Sequence, residues 1–183
     1  MSRFMYHGSN AIIGDVNLEK SRLRTDFGKG FYIADNLETA KNWAASKMQI
    51  SGGTATIMRY EICDELYSLD GKRFERTPSL DWLEFIVSNR RRVPRSELTQ
   101  EPRHSFNWVS GAIADDKVAD VVESYLFGDI SAEEAITLAR TLPQSFQLSL
   151  HTNNALMFIG EEHVHYKQFK NNRWTKNWML RKH

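Results

Sequence analysis

Several residue types and patterns are scarce in this sequence, and their scarcity excludes several classes of protein. It holds one cysteine, Cys63, so an internal disulfide and a cysteine-rich zinc site are excluded, and its strand-like neighbours predict a buried apolar thiol. Its 10 glycines and 4 prolines are too few for a fibrous or low-complexity chain. No apolar run approaches the ~20 residues of a membrane helix, and the first residues lack a signal-peptide stretch. We therefore expect a protein without membrane contact, located in the cytoplasm or delivered into a target cell by a route that the sequence does not reveal.

Charge is nearly balanced, with 24 Lys and Arg against 23 Asp and Glu, which argues against a general polyanion binder. Two basic segments stand out nonetheless. One is Arg90-Arg91-Arg92 with Arg95, and the other is residues 163–183, which contain six Lys or Arg residues, no acid, and two tryptophans. Two interpretations stay open for them: a solvated face with a frayed terminus, or a patch that faces phosphates or nucleic acid.

Hydrophobic periodicity and turn signals predict a mixture of strands and helices. Because the strands do not alternate strictly with helices, the fold class is predicted to be α+β. We expect one domain over residues 1–160 and a basic, Trp-containing extension over 161–183 in the same globule. The predicted strands are 3–7, which ends in a turn at Gly8-Ser9-Asn10, 30–34, 54–63 and 145–151. The predicted helices are 37–49, with Asn36 as its cap, a segment from Ser79, 117–127, 132–142, with a capping box of Ser131 and Glu134, and a short turn at 154–159. A hairpin is predicted for 163–169 with 173–180, around Asn171-Asn172.

Several common sites are excluded because their spacings are absent. The Gly28-Lys29-Gly30 segment lacks the third glycine of a dinucleotide fingerprint, since Ile33 stands there, and it lacks the ending of a phosphate loop. No nucleophile elbow occurs. His163 and His165 have no obvious third ligand, so no metal site is predicted.

Two segments carry the remaining signal. The first is Tyr6-His7-Gly8-Ser9, and the second runs from Asp26 through Gly28-Lys29-Gly30-Phe31-Tyr32 to Asp35, with Trp43 eleven residues beyond Tyr32. Taken together and in this order, they resemble the ADP-ribosyltransferase superfamily, in its poly(ADP-ribose) polymerase and diphtheria-toxin branch. That branch has a His-Gly-Ser strand, a Gly-x-Gly-x-Tyr strand with a later aromatic, and a late strand bearing a glutamate. The resemblance spans about residues 3–158 and implies a split β-sheet core with flanking helices.

The resemblance implies a set of site residues that use NAD as co-substrate. His7 is expected to donate a hydrogen bond to the adenosine ribose, and the backbone of Gly8 to pair with the nicotinamide carboxamide. Tyr32 and Trp43 are expected to sandwich the nicotinamide ring. The implied catalytic residues are His7, Tyr32 and Gln147, and the implied NAD-binding residues are His7, Gly8, Ser9, Gly30, Tyr32 and Trp43.

The sequence departs from this branch at two positions. Gln147 stands where the branch has its acid, which makes the set closest to bacterial members with a His-Tyr-Gln triad, and Ala40 stands where a serine is usual. An amide offers a dipole where a carboxylate offers a full charge, so slow turnover is expected. Because an amide cannot deprotonate an incoming hydroxyl, a single transfer is expected rather than a polymer. Asp115 and Asp116 are interpreted either as a base for the acceptor or as a helix cap.

Three functions follow as hypotheses. The leading one is a mono-ADP-ribosyltransferase that modifies a protein or a nucleic acid and releases nicotinamide, as a bacterial toxin or effector with a neutralising antitoxin partner. The second is a catalytically weak or inactive NAD-binding module, which Gln147 favours. The third is a nucleic-acid-binding protein that uses the basic C-terminal segment.

Overall fold

The computed structural model of the chain describes residues 3–91, 104–114, 116–160 and 164–181. Within these residues the chain forms nine strands and five α-helices, together with 3₁₀ turns at Leu18–Lys20 and Asp64–Ser68. The strands are β1 (Arg3–Ser9), β2 (Phe31–Ala34), β3 (Thr56–Ile62), β4 (Gly71–Arg73), β5 (Trp108–Ala112), β6 (Phe146–Leu150), β7 (His165–Lys170), β8 (Arg173–Trp174) and β9 (Met179–Leu180). The helices are α1 (Leu37–Ser51), α2 (Leu80–Arg90), α3 (Asp116–Phe127), α4 (Ala132–Thr141) and α5 (Asn153–Leu156).

The chain divides into two compact units. The first comprises residues 1–17, 32–69 and 153–183. Its strands run in the order β2-β1-β3-β7-β8, all antiparallel, and β9 also pairs with β7. Helix α1 packs against β1, and the buried side chains of this unit include Met5, Ile57 and Tyr60.

Strand β1 is longer than predicted. It pairs with β3 from Arg3 opposite Ile62 to Ser9 opposite Thr56, so Gly8 and Ser9 extend the strand where the sequence predicted a turn. Ladder hydrogen bonds to a neighbouring strand outweigh the local turn preference of a Gly-Ser pair. Asn36 caps α1 as predicted, because its side-chain oxygen accepts a hydrogen bond from the backbone nitrogen of Thr39 at 2.8 Å.

The second unit comprises residues 18–31 and 70–152. Strand β4 runs parallel to β5, which pairs antiparallel with β6, and helices α2, α3 and α4 pack on one another. Trp82 is fully buried, and its indole nitrogen donates to the carbonyl of Ala112 at 3.0 Å. The predicted capping box of α4 is confirmed, since Ser131 and Glu134 exchange both hydrogen bonds. The sequence did not predict β4 or β5.

The basic C-terminal segment is structured. Residues 165–180 form β7, β8 and β9, and β7 extends the antiparallel sheet beside β3. The predicted hairpin is confirmed for β7 and β8, which are joined by Asn171 and Asn172 at φ values of 51° and 58°. Two consecutive positive φ values define the turn that best matches the twist of paired strands. The frayed-terminus interpretation is therefore wrong for these residues.

The α+β fold class predicted from the sequence is confirmed, and the strands pair in both parallel and antiparallel fashion. Cys63 follows β3 and is only partly buried, so the expected fully buried strand thiol is corrected. In the described ranges, no α-helix is both long and apolar enough to cross a lipid bilayer.

Candidate functional site

Three predicted site residues lie together at the end of β1. His7, Gly8 and Ser9 are all buried there, and Ser9 lies opposite Thr56 of β3. Successive residues of a strand face opposite sides of the sheet, so His7 and Ser9 share one face while Gly8 belongs to the other. The strand therefore offers a polar face and, behind it, a close-packing face.

His7 is held in one tautomer. Its Nδ1 lies 2.6 Å from the backbone carbonyl of Tyr32, and a carbonyl can only accept, so Nδ1 carries the proton. Burial is the main cause that lowers the pKa of His7 to about 3; the positive charge of Lys47 acts in the same direction, and the hydrogen bond to Tyr32 opposes both. The neutral ring then presents Nε2 as an acceptor. His7 was expected to donate to a ligand, but its one N–H already donates to the Tyr32 carbonyl. A ligand that binds Nε2 must therefore be the hydrogen-bond donor.

Gly8 is required by the packing of α1. A Cβ built on Gly8 would collide with the carbonyl oxygen of Ala40 and would lie 2.7 Å from the nitrogen of Ala44. It would also lie 2.9 Å from the Cβ of Trp43, which is closer than real Cβ atoms approach one another. The backbones of β1 and α1 meet here because neither side carries bulk. Helix packing therefore explains why position 8 is a glycine, in addition to the ligand-pairing role that the resemblance implies.

Helix α1 brings further side chains to the same place. Lys47 donates from its ammonium to the carbonyl of Gly8 at 2.7 Å, and its nitrogen lies 3.1 Å from Nε2 of His7. The Cβ of Trp43 lies next to Gly8, and both Trp43 and Tyr32 are partly exposed. We call His7, Gly8, Tyr32, Trp43 and Lys47 the His7 cluster. It contains four of the predicted site residues together with one, Lys47, that the sequence did not indicate.

Gln147 lies in the second unit and is 2% exposed. Its amide nitrogen donates to Oδ2 of Asp26 at 2.7 Å. A carboxylate can only accept, so the orientation of the amide is fixed and its carbonyl oxygen points away from Asp26. Arg90 holds the other oxygen of Asp26 with an Nη2 contact of 2.5 Å, and the backbone nitrogen of Ala114 donates to Oδ2 at 3.0 Å. We call Gln147, Asp26 and Arg90 the Gln147 cluster.

Gly30 is explained by a histidine that the sequence did not single out. A Cβ on Gly30 would lie 2.7 Å from Nδ1 of His151. That nitrogen donates to the carbonyl of Lys29 at 2.8 Å, which leaves Nε2 to accept from the hydroxyl of Ser149 at 2.8 Å. Burial lowers the pKa of His151 to about 3, so the ring is neutral. His151 thereby joins the turn before β2 to strand β6.

A model of the family described as "protein of unknown function (DUF3990)" matches residues 4–160. The chain belongs to this family. No curated protein and no solved structure matches the chain. The matched residues, called the DUF3990 region below, include every predicted site residue and both clusters.

The arginine cluster of the DUF3990 region is corrected in part. Arg90 is turned inward, with side-chain exposure of 18% against 10% for its partner Asp26, so it is engaged in an ion pair and is not part of a solvated basic face. Arg91 is exposed, while Arg92 and Arg95 lie outside the described residues. Arg90 also donates to the carbonyl of Ala114. Its contribution is to hold Asp26, and through it Gln147.

Several residues considered in the sequence lie outside the described residues or away from both clusters. Asp115 and His163 lie outside the described residues, and Asp116 is described only as the first residue of α3. His165 lies on β7 and is half-buried. Among the residues that the structure does describe, no group of three or more His, Cys, Asp or Glu side chains is arranged to hold a metal ion.

Beyond the DUF3990 region, the C-terminal segment packs its tryptophans against the sheet. Trp178 stacks on Tyr6 with ring centroids 5.9 Å apart, and the guanidinium of Arg59 lies 5.0 Å from the centroid of Trp178. The ammonium of Lys167 lies 5.1 Å from the same ring. The Trp178 ring is therefore engaged with Tyr6, Arg59 and Lys167 inside the first unit.

Proposed function

We propose that the protein is an NAD-dependent mono-ADP-ribosyltransferase that transfers ADP-ribose to a protein or nucleic-acid acceptor and releases nicotinamide. The observation that carries the proposal is the His7 cluster, in which a neutral histidine and a glycine carbonyl lie at the end of one strand, beside the backbone carbonyl of Tyr32 and the Cβ of Trp43. NAD offers hydroxyl donors for Nε2 of His7, a carboxamide donor for the Gly8 carbonyl, and a flat ring for Tyr32 and Trp43.

The resemblance implies that Gln147 acts on the ribose beside the departing nicotinamide. Cleavage of the glycosidic bond develops positive charge on that ribose, and a fixed acceptor for its hydroxyl stabilises the transition state. The Asp26 contact takes the amide nitrogen of Gln147, so the proposal assigns the carbonyl oxygen to such a hydroxyl. A neutral carbonyl makes a weaker bond than a charged one, so the proposal includes slow turnover.

The proposal is for one transfer per acceptor. Chain growth needs a base that removes a proton from the hydroxyl of the last unit, and an amide has no basic site for this. The remaining assignments follow from the resemblance: an ADP-ribosyltransferase-like core, a bacterial toxin or effector, an antitoxin partner, and action in the cytoplasm or inside a target cell.

The test uses purified protein, labelled NAD and a cell lysate. Wild type is expected to transfer label, and Tyr32→Ala and His7→Ala are expected to abolish transfer while thermal unfolding shows a folded protein. Tyr32→Phe is the matched control, because it keeps the ring and removes only the hydroxyl. Transfer retained by both alanine variants contradicts the proposal. Separate protease and nuclease digestion of the labelled product then identifies the acceptor class.

An NAD-binding module without catalysis is the second candidate, and the uncharged Gln147 favours it. Calorimetry that shows NAD binding, with no nicotinamide released over hours, would support this candidate against the enzyme. Binding of nucleic acid through the basic segment remains a further prediction, to be tested by whether its affinity falls as salt is added.

A further inference from the structure

The Lys47 ammonium contacts two acceptor atoms of the proposed NAD site. Its ammonium is 2.7 Å from the Gly8 carbonyl oxygen and 3.1 Å from Nε2 of His7. These are the acceptors assigned above to the nicotinamide carboxamide and to a ribose hydroxyl. A ribose hydroxyl that donates to Nε2 must displace the ammonium, because that nitrogen has a single lone pair, and a carboxamide at the Gly8 carbonyl oxygen must share that oxygen with the ammonium or displace it.

The displaced ammonium stays close by. Lys47 belongs to the last turns of α1, and α1 is fixed against β1 by the Gly8 contact, so only the flexible four-carbon stem can move. Its charge already acts at the site, because it contributes to the lowered pKa of His7. A tethered cation next to a bound dinucleotide finds its strongest available partner in a diphosphate, since charge-assisted hydrogen bonds exceed neutral ones.

We propose that Lys47 exchanges the Gly8 carbonyl and His7 for the diphosphate of NAD when the dinucleotide binds, and so selects diphosphate-bearing ligands over free nicotinamide. This inference rests on the proposed function. It assigns Lys47 two opposite effects: it competes with an uncharged ligand for the Gly8 carbonyl, and it contributes a charged contact to NAD.

The test compares three probes, NAD, ADP-ribose and nicotinamide, by calorimetry on the full chain. In Lys47→Met, which keeps the stem and removes the charge, NAD and ADP-ribose are expected to bind about tenfold or more weakly, the size of one lost charge-assisted contact. Nicotinamide is expected to bind as well as or better than in wild type. The matched control is Lys41→Met on the same helix, whose ammonium pairs with Glu38 and which should leave all three affinities unchanged.

Several results would overturn the inference. Equal loss for NAD and nicotinamide in Lys47→Met would assign Lys47 a structural role, and an unchanged NAD affinity would remove it from the site. Lys47→Arg keeps the charge and is expected to retain NAD affinity within about threefold; a loss as large as that of Lys47→Met would point to shape and not charge. Wild type that binds none of the three probes overturns the proposed function as well, whereas wild type that binds NAD isolates the question of Lys47.

Discussion

Replacing Gly8 with alanine tests how closely β1 and α1 are packed. The added Cβ would collide with the Ala40 carbonyl and would lie 2.7 Å from the Ala44 nitrogen, against 3.4 Å where ordinary contact begins, so it is too close by about 0.7 Å. Both obstacles are backbone atoms of a helix, which cannot step aside as a flexible side chain can. Helix α1 must therefore shift from β1, and overpacking of this kind costs about 1–3 kcal/mol or more.

The assay is thermal and urea unfolding of Gly8→Ala beside Gly14→Ala. For a chain of this length each kcal/mol lowers the melting temperature by roughly 2–4 °C, so a fall of about 2–12 °C is expected for Gly8→Ala. Gly14 has no atom within 4 Å of a built Cβ and no positive φ, so its variant should stay within about 0.5 kcal/mol of wild type. If the two variants prove equally stable, the packing argument for Gly8 is refuted. Gly8→Ala should also weaken NAD binding, because α1 carries Trp43 and Lys47.

Three further results are expected. His7 and His151 each have a folded-state pKa of about 3 against 6.5 in the unfolded chain, so the unfolded state binds more protons between these values. The free energy of unfolding therefore falls as the pH drops below about 6.5, by up to ~1.4 kcal/mol per pH unit for each histidine. Urea unfolding at pH 7 and pH 5 should show a smaller change in stability after either histidine is replaced by Gln, and an unchanged difference would contradict the assignment. Gln147→Glu would set two carboxylates against each other at the position of the 2.7 Å bond to Asp26, so urea unfolding should show a loss of about 2 kcal/mol or more; stability equal to wild type would argue against repulsion. Trp178→Ala should cost about 1–2 kcal/mol through lost ring stacking and cation–π contacts, and stability equal to wild type would show that the stack with Tyr6 contributes nothing.

The sequence predicted those features that short-range chemistry decides. Asn36 at the start of α1, the Ser131 capping box and the Asn171-Asn172 turn each act through hydrogen bonds or φ preferences within a few residues, and all three are confirmed. The end of β1 was wrong because pairing with β3, about 50 residues away, outweighs the local signal of Gly8 and Ser9. Strand β4 was missed because it has only three residues, and β5 was missed because its end, Ser110-Gly111-Ala112, lacks the β-branched and aromatic residues that predict a strand.

The predicted site residues were a partial guide. The resemblance indicated His7, Gly8, Tyr32 and Trp43, and the structure brings these together. The residues that contact the predicted site residues could not be identified from the sequence. Lys47 is 40 residues from His7, and Asp26 is 121 residues from Gln147. No local pattern records which lysine reaches a histidine or which acid holds an amide. The tautomer of His7 was equally hidden, since it depends on a backbone carbonyl of β2.

The bond between Gln147 and Asp26 constrains how this protein can change over generations. Donor and acceptor are matched in a buried place, so a substitution at either position alone leaves the other without its counterpart. A lineage that gains an acid at position 147 loses less stability if the acid at position 26 has already been lost. The order of mutations is thereby restricted, and random libraries selected for a folded product should recover changes at these two positions as a pair.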